Sequence, residues 1–408
     1  MTENRPVVAG VDTHKDTHYA AVISITGEHL GAAQFPATDA GYRALHGFIT
    51  CHGPLLRAGV EGTNSYGAGL ARHLHAAGVD LVEVIRPTRQ VRRMRGKSDE
   101  IDAYAAAHAA LAATDTVTAK TSNGTVEATR VILAARRSAL KARTEVIQQI
   151  KSLLVTAPEP IRAEYRDLST ARLISRLTGS RPRTGDDEVA SRTRTTLKRL
   201  AARYQQLDEE ITCHDADLAQ LVKTINPALV QAKGIATVTA AQLLVTFGDN
   251  PERVHSEAAF AMLCGAAPIP ASSGRTTRHR LNRGGDRAAN SALHRIALVR
   301  LATDPDTRAY AAKRTAEGKS KKDILRCLKR AIAREVFRLI TSPPPAQNSA
   351  DLRPARQALG LTITDVADAL GCGIAKISRI EHGHIRDTRF LHEYRTWLTQ
   401  RQPTRNAA

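Results

Sequence analysis

The order of short apolar runs in the first 113 residues limits the fold of this chain more than any other feature. Val7 to Val11 ("VVAGV"), Tyr19 to Ile25 ("YAAVISI"), His29 to Phe35, Leu55 to Gly62 ("LLRAGVEG") and Leu81 to Ile85 ("LVEVI") all read as strands. Each is short, apolar and bounded by turn signals. "TGE" at Thr26 to Glu28 reads as a hairpin turn. Between the later runs, Thr38 to Thr50 has helical periodicity behind a threonine cap, and Tyr66 to Ala77 has apolar residues at helical spacing before Gly78. With Lys97 to Ala113 as a last helix the order is βββαβαβα, an α/β layer arrangement. Asp12 directly follows the first run, and Glu61 closes the fourth.

From Thr125 to about Ile225 the chain becomes rich in Ala, Leu, Arg, Glu and Gln, interrupted only by "TAPEP" and "TGSRPRTGDD". Such a stretch predicts long helices. Leu197, Leu200, Ala201, Tyr204 and Leu207 fall on one stripe, as in a helical arm or coiled coil that packs on a neighbour and serves self-association. A second globular region opens with "AKGIATVTAAQLLVTFGD" (Ala232 to Asp249) and runs to about Ile340. Its opening is similar to a helix-hairpin-helix turn, where backbone N–H groups meet phosphate. "TSPPPAQNSA" (Thr341 to Ala350) is a proline-rich linker with a further small domain after it. The expected division is 5–120, 121–228, 229–340, a linker at 341–350, and 351–400.

Lys and Arg number 59 against 40 Asp and Glu, a formal charge of +19. That excess points to a polyanion, with nucleic acid ahead of an anionic membrane surface. No run approaches the roughly 18 apolar residues of a membrane span, and "MTENRPVVAG" lacks a signal-peptide pattern, so a cytoplasmic protein with no membrane partner is expected. The five cysteines are scattered without C-x-x-C spacing and suggest neither disulfides nor zinc. His14 and His18 flank Asp16 at a spacing that suits a metal on a helix, but in a turn that spacing brings nothing together.

The acids form a more informative pattern. Asp99 and Asp102 are three apart and share a helix face. Taken as a pair they simply suit the first turn of a helix. If the first and fourth strands lie side by side, Asp12 and Glu61 join them at one rim. Four carboxylates held together require neutralisation, and oxygen-rich sites suit Mg²⁺ or Mn²⁺. Two such ions roughly 3.5 to 4 Å apart clamp the attacking and leaving oxygens of a phosphodiester displacement. Next to them "RPTRQVRRMRGK" (Arg86 to Lys97), with Arg92 and Arg93, is suited to a nucleic-acid backbone. Acids on strand one, strand four and the final helix are laid out as in an RNase H-like nuclease.

"GVDTHKD", "GVEGTNSYG" and "KSDEIDA" together resemble the Asp-Glu-Asp-Asp signature of the RuvC-like domain in a family of bacterial insertion-sequence transposases, the bridge-RNA-guided recombinases. The resemblance implies an α/β RNase H-like (RuvC-like) domain in which Asp12, Glu61, Asp99 and Asp102 ligate Mg²⁺ (or Mn²⁺). It covers roughly residues 7 to 340. "CGAAPIPASSGRTTRHRLNRGGDRAANSALHRIALVRLA" (Cys264 to Ala302) is similar to the mainly α transposase domain of that family, where a Gly-x-x-Pro turn precedes the nucleophilic serine. Placing Gly265, Pro268 and Gly274 on that pattern selects Ser273, with Ser272 one residue away. Arg275, Arg278 and Arg280 follow as nucleic-acid contacts. The family's chemistry then implies attack by Ser273 on DNA, a covalent phosphoserine link, a released 3′-hydroxyl, a structured guide RNA, and a homo-oligomer (dimer or tetramer). In such an oligomer the serine of one copy meets the acids of another. "GKSKKDILRCLKRAIAREVFRLI" (Gly318 to Ile340) closes the domain as a basic helix whose apolar stripe, Ile324, Leu325, Leu328, Ile332 and Val336, reads as core.

"LRPARQALGLTITDVADALGCGIAKISRIEHGH" (Leu352 to His384) resembles a Cro/repressor-type helix-turn-helix. Thr362 caps its first helix with Asp365 three residues on, Gly371 marks the turn, and Ile374 to His382 is the recognition helix. Lys376, Ser378 and Arg379 are the groove candidates, with Ile377 and Ile380 as core. Two other readings stay open on the sequence. One is a metal-dependent RuvC-like nuclease that hydrolyses DNA without a covalent intermediate. The other is a non-enzymatic DNA-binding regulator.

Overall fold

The computed structural model describes residues 5–85, 98–113, 116–276, 279–344, 349–384 and 387–401. Arg92 and Arg93, with the whole of Arg86 to Lys97, lie outside the described residues, as do Arg278 and positions 345–348 of the proline-rich linker. The chain divides into two compact units, the first being Met1–Glu127 with Phe247–Ala259 and the second Ala128–Thr246 with Phe260–Ala408.

In the first unit a six-stranded sheet holds β1 (Val7–Thr13), β2 (Thr17–Ser24), β3 (His29–Pro36), β4 (Leu55–Glu61), β5 (Leu81–Val84) and β6 (Thr116–Thr118). The strand order is β3-β2-β1-β4-β5-β6. β1 runs antiparallel to β2 and parallel to β4. β6 is a short edge strand that the sequence did not announce. Helices α1 (Asp39–Cys51) and α2 (Ala68–Ala76) connect the later strands, and α3 (Asp99–Ala112) follows β5. Thr38 caps α1 by accepting from the Gly41 N–H, and Ser98 caps α3 by accepting from the Ile101 N–H.

Both faces of the sheet are covered. Val7, Ala9, Val11, Ala58 and Val60 pack with Leu45, Ile49, Leu70 and Leu74 of α1 and α2. The opposite face sets Val8, Ile23 and Val82 against Ala107 and Ala110 of α3. Side chains alternate along a strand, so Val8, Gly10 and Asp12 share the α3 side of β1, as Gly59 and Glu61 share it on β4. α3 presents buried Ala103, Ala106, Ala107 and Ala110 to this face. It approaches so closely that a Cβ on Gly10 would stand 2.1 Å from the Ala107 backbone nitrogen. Only glycine fits there, and the close seat brings the start of α3 to the C-terminal end of β1.

The second unit contains α4 (Thr125–Thr156), whose first turn belongs to the first unit, then α5 (Glu159–Tyr165), α6 (Thr170–Thr178) and α7 (Glu188–Ile225). Arg136 pairs with Asp215 and Arg143 with Asp208, so α4 and α7 run antiparallel. Leu197 and Ala201 are fully buried with Val146, Ile150 and Leu154, and Leu200, Tyr204 and Leu207 pack beside them. The stripe expected on α7 is thus satisfied within the chain. Arg194, 2 % exposed, is held by Glu164 at 3.0 Å and Asp186 at 3.1 Å.

The helices α8 (Pro227–Gln231), α9 (Thr237–Phe247), α10 (Glu257–Leu263), α11 (Arg287–Thr303), α12 (Pro305–Ala316) and α13 (Lys321–Thr341) follow. Ile324, Leu328, Ile332 and Val336 of α13 are buried as their spacing implied, while Leu325 is half-buried. At the helix-hairpin-helix-like turn, Gly234 adopts φ +73, but the Ala236 N–H already donates to Thr239 Oγ1 and the Lys233 carbonyl accepts from Arg300. Those backbone groups are therefore engaged internally. The last described helices are α14 (Leu352–Ala358), α15 (Ile363–Ala369), α16 (Ile374–Glu381) and α17 (Thr388–Thr399). Thr362 and Asp365 form the expected capping box, and Ile377 and Ile380 are core. Arg356 donates to the buried Glu381 carboxylate at 2.7 and 3.0 Å, and Tyr394 Oη donates to it at 2.7 Å.

Candidate functional site

β1 extends two residues beyond Val11, through Asp12 to Thr13, because its pairing with β2 continues to Asp12↔Tyr19 and Thr13↔His18. The His14 N–H then donates to the Thr17 carbonyl and closes the hairpin. Period two therefore carries His14 to the same side as Asp12. Asp12 is 3 % exposed, and His14 Nε2 lies 3.6 Å from its Oδ2. The same nitrogen lies 3.3 Å from Oδ1 of Asp99 at the start of α3. One ligand atom from each of Asp12, His14 and Asp99 can be chosen so that all lie within 4.8 Å of one another. From the sequence alone His14 reads as part of a turn. The signal that could have found it is the i, i+2 relation to Asp12, visible only once the strand is known to run past Val11.

Glu61 and Asp102 stand outside this three-residue grouping. Glu61 ends β4, one step beyond the last β1–β4 pair, Val11↔Val60, and Thr13 Oγ1 donates to its backbone carbonyl at 2.8 Å. It thus flanks Asp12 on the neighbouring strand. Asp102 is half-buried in the first turn of α3, one turn after Asp99. His18, the other histidine of the opening stretch, goes into the sheet. It is 1 % exposed, stacks on Tyr42 at 5.6 Å, and donates from Nδ1 to the Thr17 carbonyl. Burial lowers its pKa, which keeps the ring neutral and structural.

In the second unit the serine pair lies on a β-hairpin. β7 (Ile269–Pro270) pairs with β8 (His279–Arg280), and Ser273 and Thr276 exchange backbone hydrogen bonds of 3.1 and 3.0 Å around Gly274 and Arg275. Gly274 has φ +53, the left-handed conformation that a tight hairpin turn asks of its first central residue. Ser272, Ser273, Arg275 and Arg280 are all exposed. The hairpin thus offers a hydroxyl among arginines at its tip. On α16, Arg379 is exposed, whereas Lys376 pairs with Asp387 at 3.0 Å and sits 3.7 Å from the Phe390 ring centre.

Residues 9–157 match the DEDD transposase family of IS110 elements, and residues 226–312 match the transposase family of IS116, IS110 and IS902. This chain belongs to the IS110 transposase family. A 42 kDa protein of insertion element IS900 from Mycobacterium paratuberculosis is 27% identical over 367 residues, covering 77% of this chain and 90% of the relative. A 43.6 kDa protein of insertion element IS110 from Streptomyces coelicolor is 32% identical over 128 residues, 30% of each chain. Residues 349–393 match a helix-turn-helix domain. As an IS110-family transposase the chain acts in transposition of an insertion sequence, with DNA as its partner. Asp12, Glu61, Asp99, Asp102 and His14 fall inside the first matched region, and Ser272 and Ser273 inside the second. No described helix of this transposase is long and apolar enough to cross a membrane.

Proposed function

We propose that this transposase excises and inserts its element by serine attack on DNA phosphodiesters, assisted by divalent metal and guided by a bridge RNA. The observation that carries the reading is the meeting of Asp12 and Asp99 with His14 at the C-terminal end of the central strand. The strand order, with three antiparallel strands followed by parallel β4 and β5, supports an RNase H-like reading of the first unit. The two carboxylates suit Mg²⁺ or Mn²⁺, and the imidazole, a softer donor, favours Mn²⁺ of the two. Asp12 and Asp99 would hold the ion, Glu61 and Asp102 would complete the ligand shell, and His14 either joins it or gives way to it. Bound there, a divalent cation supplies positive charge to phosphate oxygens.

The chain's own residues supply the rest. Ser273 Oγ attacks phosphorus as the bond from phosphorus to the 3′-oxygen breaks, and the proton lost by the serine is balanced by the one the 3′-oxygen takes up to leave as a hydroxyl, so that a phosphoserine ester conserves the bond. Attack by the 3′-hydroxyl of another strand reverses these events and returns the serine. Arg275 and Arg280 on the hairpin, with Arg278, Arg92 and Arg93, hold the backbone, and Arg379 and Lys376 address duplex DNA. The homo-oligomer completes a composite site in which the hairpin of one copy serves the acids of another.

The deciding experiment uses end-labelled DNA on denaturing gels. The wild type should give a protein-linked strand that proteinase removes, and Ser273→Ala should lose it while still assembling on DNA and RNA. Loss with Ser272→Ala alone would move the nucleophile by one residue. Cleavage by the double variant at wild-type rate without an adduct would overturn the serine and favour hydrolysis by a RuvC-like nuclease.

A further inference from the structure

The base of the serine hairpin opens into a groove of about 1150 Å³ that no step of the proposed reaction has yet used. One wall is the turn from Gly265 to Pro268, the return strand contributes His279 and Arg280, and α13 supplies Arg326, Lys329, Arg330 and Arg334. Those four cations recur at helical spacing on α13, beside the buried stripe. The floor is apolar, with Leu281, Leu328 and Ile332. Arg300 is committed to Glu335, and Arg326 to Asp323, leaving Asp306 as the other acid of the lining.

Lys329 is held in a particular way. Its ammonium donates to Asn290 Oδ1 at 2.9 Å, while Asn290 Nδ2 donates to the Cys264 and Gly265 carbonyls, each at 2.9 Å. The amide thus spans from α13 to the turn that begins the hairpin, and its orientation is fixed by those two carbonyls. No carboxylate pairs with Lys329 among the described residues, and two of its three N–H donors remain for a ligand. Neighbouring Arg330 buries Nη1 with no hydrogen-bond partner among the described residues. Burial, and then the charge of Arg326, lower the Lys329 pKa. The cationic walls suit the phosphates of a single strand, and the exposed ring of Tyr310 in the same lining offers a face on which a base can stack.

We propose that this groove seats the DNA single strand adjoining the cut, with Lys329, set by Asn290, as the residue that positions a backbone phosphate relative to the hairpin. The proposal rests on the reading of Ser273 as nucleophile only for its role in cleavage, and strand binding stands apart from it.

The test measures binding of the full-length protein to a fluorescent single-stranded DNA of about 16 nucleotides, with RNA of the same sequence as competitor. Lys329→Gln should weaken DNA binding about tenfold and reduce the slope of log affinity against log salt by about 0.7, the loss of one phosphate contact on a single strand. Lys329→Arg should restore the slope. Asn290→Ala keeps the charge and should lose affinity with the slope unchanged, an outcome that simple charge removal does not give. Should Lys329→Gln fail to fold, alkylation of the wild type serves instead. Cys327 lines the groove, so DNA should slow its modification and leave exposed Cys51 and Cys213 unaffected. Wild-type affinity and slope in Lys329→Gln, or unprotected Cys327, overturn the groove. RNA outcompeting DNA for the same protection overturns the assignment to DNA. Ser273→Ala should bind the strand normally; if it also still forms the covalent adduct, the serine reading fails while the groove stands.

Discussion

Replacing Gly10 by alanine tests whether helix-to-strand distance sets the geometry of the acids. The added Cβ would lie 2.1 Å from the Ala107 nitrogen and 2.2 Å from the Ala103 oxygen, both backbone atoms that cannot rotate away. Ordinary contact begins near 3.4 Å, so α3 must retreat from β1 by more than about 1 Å. Asp99 rides on α3 and Asp12 on β1, two residues from the substitution. Metal ligation tolerates shifts of only about 0.2 Å. A misplacement of about 1 Å commonly costs on the order of a hundredfold in rate. The overpacking itself should destabilise by about 1–3 kcal/mol. Single-turnover cleavage of labelled DNA at saturating Mg²⁺, alongside a thermal melt, should therefore show a loss near a hundredfold in a protein that still folds. Gly47→Ala on α1 is the control, since a Cβ there meets nothing within 4 Å. It should cleave normally and be slightly more stable. Wild-type cleavage and melting in Gly10→Ala would refute the reasoning, because the added Cβ would then be accommodated without displacing α3 or the acids.

Two further outcomes are expected. His14→Ala should lower affinity for Mn²⁺ more than for Mg²⁺, because imidazole suits the softer ion; an unchanged preference in calorimetric titration would remove His14 from the ligand set. In the C-terminal domain, burial raises the Glu381 pKa, but hydrogen bonds from Arg356 and Tyr394 outweigh it and hold the carboxyl below its usual 4.5. The stability this gives is present above pH 4.5 and is lost as pH falls through the lowered folded value. Glu381→Gln leaves Arg356 buried beside a neutral partner and should cost about 3–5 kcal/mol near neutral pH, with the gap to wild type closing in acid. A gap independent of pH in denaturant melts would show that the charge of Glu381 is immaterial.

Local patterns wrote much of this protein directly into its sequence. Strand runs such as Val7 to Val11, the Thr38 and Thr362 caps, the stripe on α7 and the core positions Ile377 and Ile380 depend on neighbours within a few residues, and those are visible in one dimension. The acids at Asp12 and Asp99 were likewise legible, because a residue at a strand end and a residue at a helix start are chemical as well as positional signals. That they meet at one rim was an expectation of the sequence; that His14 lies between them was not. β1 runs two residues past Val11 because β2 pairs with it through Thr13, a contact no inspection of the turn residues reveals. That added length moves His14 from a loop to the side of Asp12. The seat of α3 was equally hidden: Gly10 and Gly59 look like weak points in strands, and the alanines of α3 look like generic helix formers. Only their apposition shows why they are small, since backbone must meet backbone for a helix start to reach the end of the central strand. The groove under the serine hairpin follows the same rule. Its basic stripe is local to α13, but the turn at Gly265 and the return strand that make it a groove arrive from more than 40 residues away, through contacts that exist only in the folded chain.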